Sequence, residues 1–149
     1  MQIVLYQPDI PQNTGTILRL AAALDVPVHL IEPCGFVLTD KQLKRAALDT
    51  MPFAQFQRHA SWKAFLRDRS GPGRLVLMTT KADMPYTDFR FGEGDWLLFG
   101  RESAGVPDDV HASADCRLLI PISRDVRSLN LAVAAAMVVG EAMRQTRWT

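Results

Sequence analysis

Short runs of apolar residues alternate along the chain with longer stretches in which apolar positions return every three or four residues. The runs at Ile3–Tyr6, Val28–Ile31, Phe53–Phe56, Leu75–Thr79, Trp96–Phe99 and Arg117–Ile120 predict strands. Most are near-continuous rather than alternating, the pattern required by a sheet covered on both faces. Between them, Thr14–Leu24 places Ile17, Leu18, Ala21 and Leu24 on one face of a helix. Asp40–Leu48 and Ser61–Arg69 predict further helices, the second stopped by Gly71-Pro72-Gly73, and Ser128–Arg147 predicts the longest. This alternation predicts an α/β fold with one parallel sheet and helices on both faces. No linker, repeat or low-complexity stretch breaks it, so residues 1–149 read as a single domain. In the last helix Leu131, Val133, Met137, Val138 and Val139, with Ala134–Ala136, leave the surface apolar almost all round. One side belongs against the sheet, and the other needs a second cover, which points to a second subunit.

Composition narrows the function classes. Lys and Arg total 17 against 16 Asp and Glu, a net charge of +1 that excludes a strongly basic nucleic-acid coating protein but leaves room for a local basic patch. The charge is uneven: residues 83–115 hold eight acids and two bases, whereas residues 116–149 hold five Arg and two acids. A polyanion is therefore expected on the first half and the C-terminal segment. Cys34 and Cys116 form no CxxC pair and read as small buried hydrophobes. His29, His59 and His111 are scattered without ligand spacing, so no metal site is expected. No apolar run is long enough to span a bilayer and the N-terminus lacks a leader pattern, so the expected setting is the cytoplasm.

Three segments carry candidate chemistry. Pro11-Gln12-Asn13-Thr14-Gly15-Thr16-Ile17-Leu18-Arg19 follows a strand and opens a helix, with Asn13 or Thr14 placed to cap it and Arg19 about a turn further in. A helix N-terminus there is an anion site, and Arg19 would add a fixed charge beside a phosphate. Leu98-Phe99-Gly100-Arg101-Glu102-Ser103-Ala104-Gly105-Val106-Pro107 takes a buried strand into a loop with glycine at both ends, where a ligand could lie against the backbone, or a turn could lead into a helix near Pro107. It is neither a GxGxxG nor a P-loop, which argues against an ordinary nucleotide-binding α/β protein. Ile120-Pro121-Ile122-Ser123-Arg124-Asp125-Val126-Arg127-Ser128-Leu129-Asn130-Leu131 sets two Arg, Ser128 and Asn130 between a strand and the last helix.

In this order and spacing the three segments resemble the three motifs of the SpoU-type branch of the SPOUT RNA 2′-O-methyltransferases. The likeness is greatest to its small single-domain members that methylate the ribose of the tRNA wobble nucleotide. It runs from Ile3 to Glu141 and takes in Ile31-Glu32-Pro33, Lys44-Arg45-Ala46 and Thr79-Thr80-Lys81. The resemblance implies a C-terminal deep trefoil knot, a homodimer packed partly through the last helix, and S-adenosylmethionine as cofactor, leaving S-adenosylhomocysteine as product. It implies a cofactor pocket at Met78, Thr79, Gly100, Glu102, Gly105, Ile120, Ile122, Ser128 and Asn130, formed largely by backbone groups. Arg19, Glu102, Ser128 and Asn130 match the residues the family associates with catalysis or cofactor binding. Two positions depart from the pattern: Arg101 stands where a proline or small residue is common, and Ala132 where the family often has Ser.

The family account often makes the first-motif Arg a general base. A guanidinium is effectively always protonated, so Arg19 is better suited to anchoring a phosphate and stabilising a developing alkoxide, contributed across the dimer interface. Ser128 either touches the cofactor or caps the last helix. Glu102 either positions a loop or Arg19, or is a solvated carboxylate. The expected partner is the tRNA anticodon stem-loop, met by Arg19, Lys41, Lys44, Arg45, Arg124 and Arg127. An enzyme of the same fold acting on ribosomal RNA, or a non-catalytic knotted RNA-binding dimer, are the alternatives.

Overall fold

The computed structural model describes residues 1–37, 39, 41 and 55–148. In chain order the elements are β1 (Gln2–Tyr6), α1 (Pro11–Leu24), β2 (Val28–Ile31), β3 (Phe56–His59), α2 (Trp62–Asp68), β4 (Leu75–Met78), β5 (Met84–Pro85), β6 (Trp96–Phe99), α3 (Asp108–Ser113), β7 (Cys116–Leu119) and α4 (Leu131–Thr146). The seven strands form one sheet in the order β3-β2-β1-β6-β4-β7-β5, and every neighbouring pair is parallel.

The apolar runs become strands because both sheet faces are buried, and successive side chains serve opposite faces. Ile3, Leu5, Leu97 and Phe99 join Ile17, Leu18, Ala21, Ala135, Val138 and Val139 in one cluster under α1 and α4. Val4, Tyr6, Trp96 and Leu98 join Phe65, Val110 and Ala114 in the other, under α2 and α3. On the second side His29 Nδ1 lies 2.9 Å from His59 Nε2, and His29 Nε2 lies 2.5 Å from Gln2 Oε1. With Gln2 accepting from His29, the pair forms a chain of neutral rings stacked beside Phe65 and Trp96. Burial lowers both histidines, His29 to about 4.

Several boundaries differ from the sequence expectation. Helix α1 begins at Pro11 with Ile10 as cap residue, so neither Asn13 nor Thr14 caps it and both are buried in its first turn. Proline's fixed φ suits the first helical position, where no N–H is required. Strand β3 starts at Phe56 rather than ending there, pairing Val28 with Phe56 and Ile31 with His59. Its Gln57 and Arg58 are exposed at the sheet edge, so it carries no apolar run to read. Helix α4 starts at Leu131, three residues later than expected, because Asn130 caps it. Strand β5 is a two-residue Met-Pro pairing with no periodicity of its own. The expected helix at Asp40–Leu48, and Phe53 of the expected third strand, fall outside the described residues.

Both cysteines are free and half-buried, and burial pushes the Cys34 thiol up to about 11. Among the described residues no helix is long and apolar enough to cross a membrane.

Candidate active site

In an open parallel sheet the loops at the carboxyl ends of the strands leave a crevice for ligands. Here the segments after β4, β6 and β7, closed by the start of α4, enclose a cavity of about 760 Å³. That is ample for a nucleoside-sized molecule. Met78, Thr79, Gly100, Glu102, Gly105, Ile120, Ile122, Ser128 and Asn130 all line it. The same wall includes Ile10, Asn13, Lys81, Arg101, His111 and Arg127.

The loop after β6 is closed on itself. Arg101 N–H donates to Gly105 O at 2.9 Å and Gly105 N–H returns to Arg101 O at 2.8 Å. A Cβ at Gly100 would stand 2.6 Å from the Gly105 carbonyl carbon, so this turn needs glycine there. Gly105 adopts φ 63°, a left-handed conformation that glycine tolerates, and a Cβ there would meet nothing within 4 Å. It therefore presents bare backbone to the cavity, the kind of surface a flat, polar-edged ligand can lie against.

A chain of hydrogen bonds ties the three segments together. Glu102 Oε2 accepts the Asp9 N–H at 2.8 Å, and Glu102 Oε1 accepts from Asn13 Nδ2 at 3.3 Å. Asn13 Oδ1 accepts from Asn130 Nδ2 at 3.0 Å. Asn130 Oδ1 in turn accepts the N–H groups of Ala132 and Val133, at 2.9 and 3.2 Å. Asn130 is thus both the cap of α4 and the last link from the first segment to the third. Glu102 is a loop-positioning group rather than a solvated carboxylate. Burial, then the neighbouring Asp9 carboxylate, pushes its carboxyl above the usual range. Asp9 is held below its usual range, first by the hydrogen bond with Glu102 and then by the Ser103 hydroxyl.

Ser128 does not cap α4; it is exposed on the cavity wall. Arg19 is not on that wall. It lies on the exposed side of α1, and among the described residues no hydrogen bond or ion pair holds it. Arg127 joins the cavity, Arg124 and Lys41 are exposed, and Lys44 and Arg45 lie outside the described residues. Asp9 and Asn13 were not singled out from sequence as site residues. Asn13 sits inside the first segment, where its side chain reads equally as a cap, while Asp9 lies before that segment with no pattern to mark it.

A cavity walled by glycine backbone at the carboxyl ends of parallel strands defines a small-molecule-binding α/β protein. The chain belongs to the SpoU rRNA Methylase family, which matches residues 1–140. It is 56% identical over 144 residues to a tRNA (cytidine(34)-2′-O)-methyltransferase of Beijerinckia indica, covering 96% of this chain and 90% of that protein. It superposes with TM-score 0.91 and 46% identity on a structure solved for insight into the 2-OH methylation of C/U34 on tRNA, covering 97% of this chain and 94% of that one. An AdoMet-bound rRNA methyltransferase from Sinorhizobium meliloti gives TM-score 0.86 at 26% identity, covering 96% of this chain and 55% of that one. Family membership implies the C-terminal trefoil knot, with the cavity segments as its loops.

Proposed function

We propose that residues 1–149 form one methyltransferase unit that moves a methyl group from S-adenosylmethionine to the ribose 2′-hydroxyl of the wobble nucleotide, C34 or U34, in tRNA anticodon loops. The observation that carries this reading is the convergence of all three segments on one cavity, joined by the Glu102–Asn13–Asn130 chain. The residues present suit the cofactor. Bare backbone at Gly105 leaves room against the wall, and Met78, Ile120 and Ile122 offer apolar surface to a purine.

When bound, S-adenosylmethionine supplies a sulfonium methyl, an electrophile whose leaving thioether is neutral, so the displacement needs no metal ion. The ribose oxygen must approach in line at about 3 Å and its proton must leave to solvent as the O–C bond forms and the C–S bond breaks. Glu102 and Asn130 hold the cavity loops in one arrangement, which places the methyl. Arg19 holds the RNA. Its guanidinium stays charged, anchors the phosphate beside the wobble ribose and stabilises the oxygen as negative charge builds on it.

Arg19 lies off its own chain's cavity, so the reading requires a homodimer in which each chain supplies Arg19 to its partner's site. What supports this is the outer face of the packed pair α1 and α4. Gln12, Thr16, Arg19 and Ala23 are exposed along α1, and Val133 and Met137 are 50% and 40% exposed along α4. The apolar Val133 and Met137 on α4, with the small Thr16 and Ala23 on the helix packed against it, are what a second copy would cover.

The direct test is to incubate the protein with methyl-labelled S-adenosylmethionine and unmodified bulk tRNA and map ribose methylation by nucleotide. Label on the ribose of nucleotide 34 is expected. Cofactor binding without tRNA labelling would move the substrate to another RNA. Absence of cofactor binding would leave a non-catalytic knotted RNA binder.

A further inference from the structure

The Arg101 side chain, only 28% exposed, turns back onto the segment that follows β1. Its Nε donates to the Gln7 carbonyl at 2.9 Å and lies 3.9 Å from Asp9 Oδ2. Gln7 has φ 43°, a left-handed conformation that a non-glycine residue adopts only when its surroundings hold it. That twist, just after β1, aims the carbonyl at Arg101, while the Gln7 N–H still donates to Ile31 O at 2.9 Å. The guanidinium also approaches the bare backbone of Gly35: a Cβ there would lie 3.5 Å from Nη2 and 2.4 Å from Asp9 Cβ. Asp9 receives the Ser103 hydroxyl as well and gives its own N–H to Glu102 at 2.8 Å. One oxygen of Asp9, Oδ1, is buried with no hydrogen-bond partner among the described residues, and Arg101 is the cation that stands beside this carboxylate.

We infer that Arg101 and Asp9 form a positioning pair that clasps the loop 101–105 onto the segment entering α1, and so sets the cofactor wall at Gly105 and Glu102. The inference rests on the proposed methyltransferase reading and deepens it. Arg101 acts through the loop rather than on the reacting atoms. Four contacts join the two segments: Arg101 to the Gln7 carbonyl, Arg101 to Asp9, Ser103 to Asp9, and the Asp9 N–H to Glu102. Two of the four need the guanidinium and two need the Asp9 carboxylate, so replacement of either side chain loosens the wall that faces the cofactor. The same clasp leaves the outer face of α1, and hence Arg19, untouched. The expected signature is therefore a loss of cofactor affinity with little loss of turnover at saturation.

The experiment compares wild type, Arg101→Ala, Arg101→Lys and Asp9→Asn in two measurements. One is calorimetric titration with S-adenosylhomocysteine; the other is the kcat and KM for methyl transfer to tRNA. Arg101→Ala is expected to weaken product binding and raise the cofactor KM about tenfold, the scale of one charge-assisted hydrogen bond, with kcat changed less than about threefold. Arg101→Lys keeps a cation but loses the planar fork, and is expected to recover part of the affinity. Asp9→Asn, which keeps its size and its N–H bond to Glu102, is expected to weaken binding in the same sense, and decides the matter if Arg101→Ala does not fold. Affinity and KM equal to wild type would overturn the inference, as would a lower melting temperature with both constants unchanged. A wild-type protein that binds product but methylates no RNA would instead overturn the reading of function, and the binding arm alone would then test the clasp.

Discussion

Around the cavity, polar groups from three loops satisfy one another, whereas along the outer faces of α1 and α4 the same chain leaves Arg19, Val133 and Met137 to solvent. The first region is complete within one chain. Glu102, Asn13 and Asn130 form an unbroken chain of donors and acceptors that ends on the backbone of α4. The second region has a charge with no partner among the described residues and apolar groups with no cover. Under the proposed function the contrast separates two tasks: one chain shapes the cofactor site, and a second copy brings the RNA-facing charge to it.

The largest effect is expected from Arg19→Ala. Turnover should fall at least about a thousandfold while S-adenosylhomocysteine affinity stays within about threefold of wild type, because the lost charge acts on the transition state and not on the cofactor. Single-turnover kinetics paired with calorimetry reads both. Wild-type turnover in this variant would end the assignment. Next comes Met137→Glu, which places a charge on the exposed face of α4. Sedimentation should show monomers, and activity should fall roughly a hundredfold with product binding largely kept. A dimer of full activity would show that this face is not the interface. Asn130→Ala attacks the self-contained region instead. Product affinity should drop about tenfold, and loss of the helix cap should cost about 1 kcal/mol of stability. Unchanged calorimetric titration would remove Asn130 from the site.

The smallest effect concerns neither region. His29 and His59 are buried as a neutral pair, with His29 lowered from 6.5 to about 4. A depressed histidine favours the folded state above its unfolded value. That contribution is therefore complete above about pH 6.5 and declines as the pH falls towards about 4. The melting temperature should drop across that window, and His29→Gln should flatten the drop. An equal slope in the variant would place the acid-sensitive group elsewhere.

Most of the sheet was legible because β1, β2, β4 and β6 are buried on both faces and are apolar at nearly every position. Strand β3 was misplaced for the opposite reason: at the edge, Gln57 and Arg58 can face water and still pair. The cavity residues were found through glycines and through likeness of motif, yet their connections were not. Glu102 could be recognised as chemistry but not as the acceptor for Asn13, since 89 residues separate them and only the fold brings them together. Ser128 was the cap candidate in the sequence, but the last helix starts three residues later, at Leu131, where the Asn130 side chain takes the free N–H groups instead. The histidine pair could not be read from spacing: parallel pairing sets His29 opposite Gln57 and Ile31 opposite His59, and only that register brings the two rings, 30 residues apart in sequence, into contact.

The central claim is that each cavity is completed by Arg19 of a second copy, and mixed dimers test it most directly. Arg19→Ala and Gly105→Val, the latter putting a branched side chain on the cavity wall from a left-handed backbone, should each be inactive alone. Co-expressed as a statistical mixture, they should recover roughly a quarter of wild-type activity, since half the dimers then hold one intact site of two. A mixture as silent as its two parents, with mixed dimers shown to be present, would place Arg19 at its own chain's cavity and contradict the account.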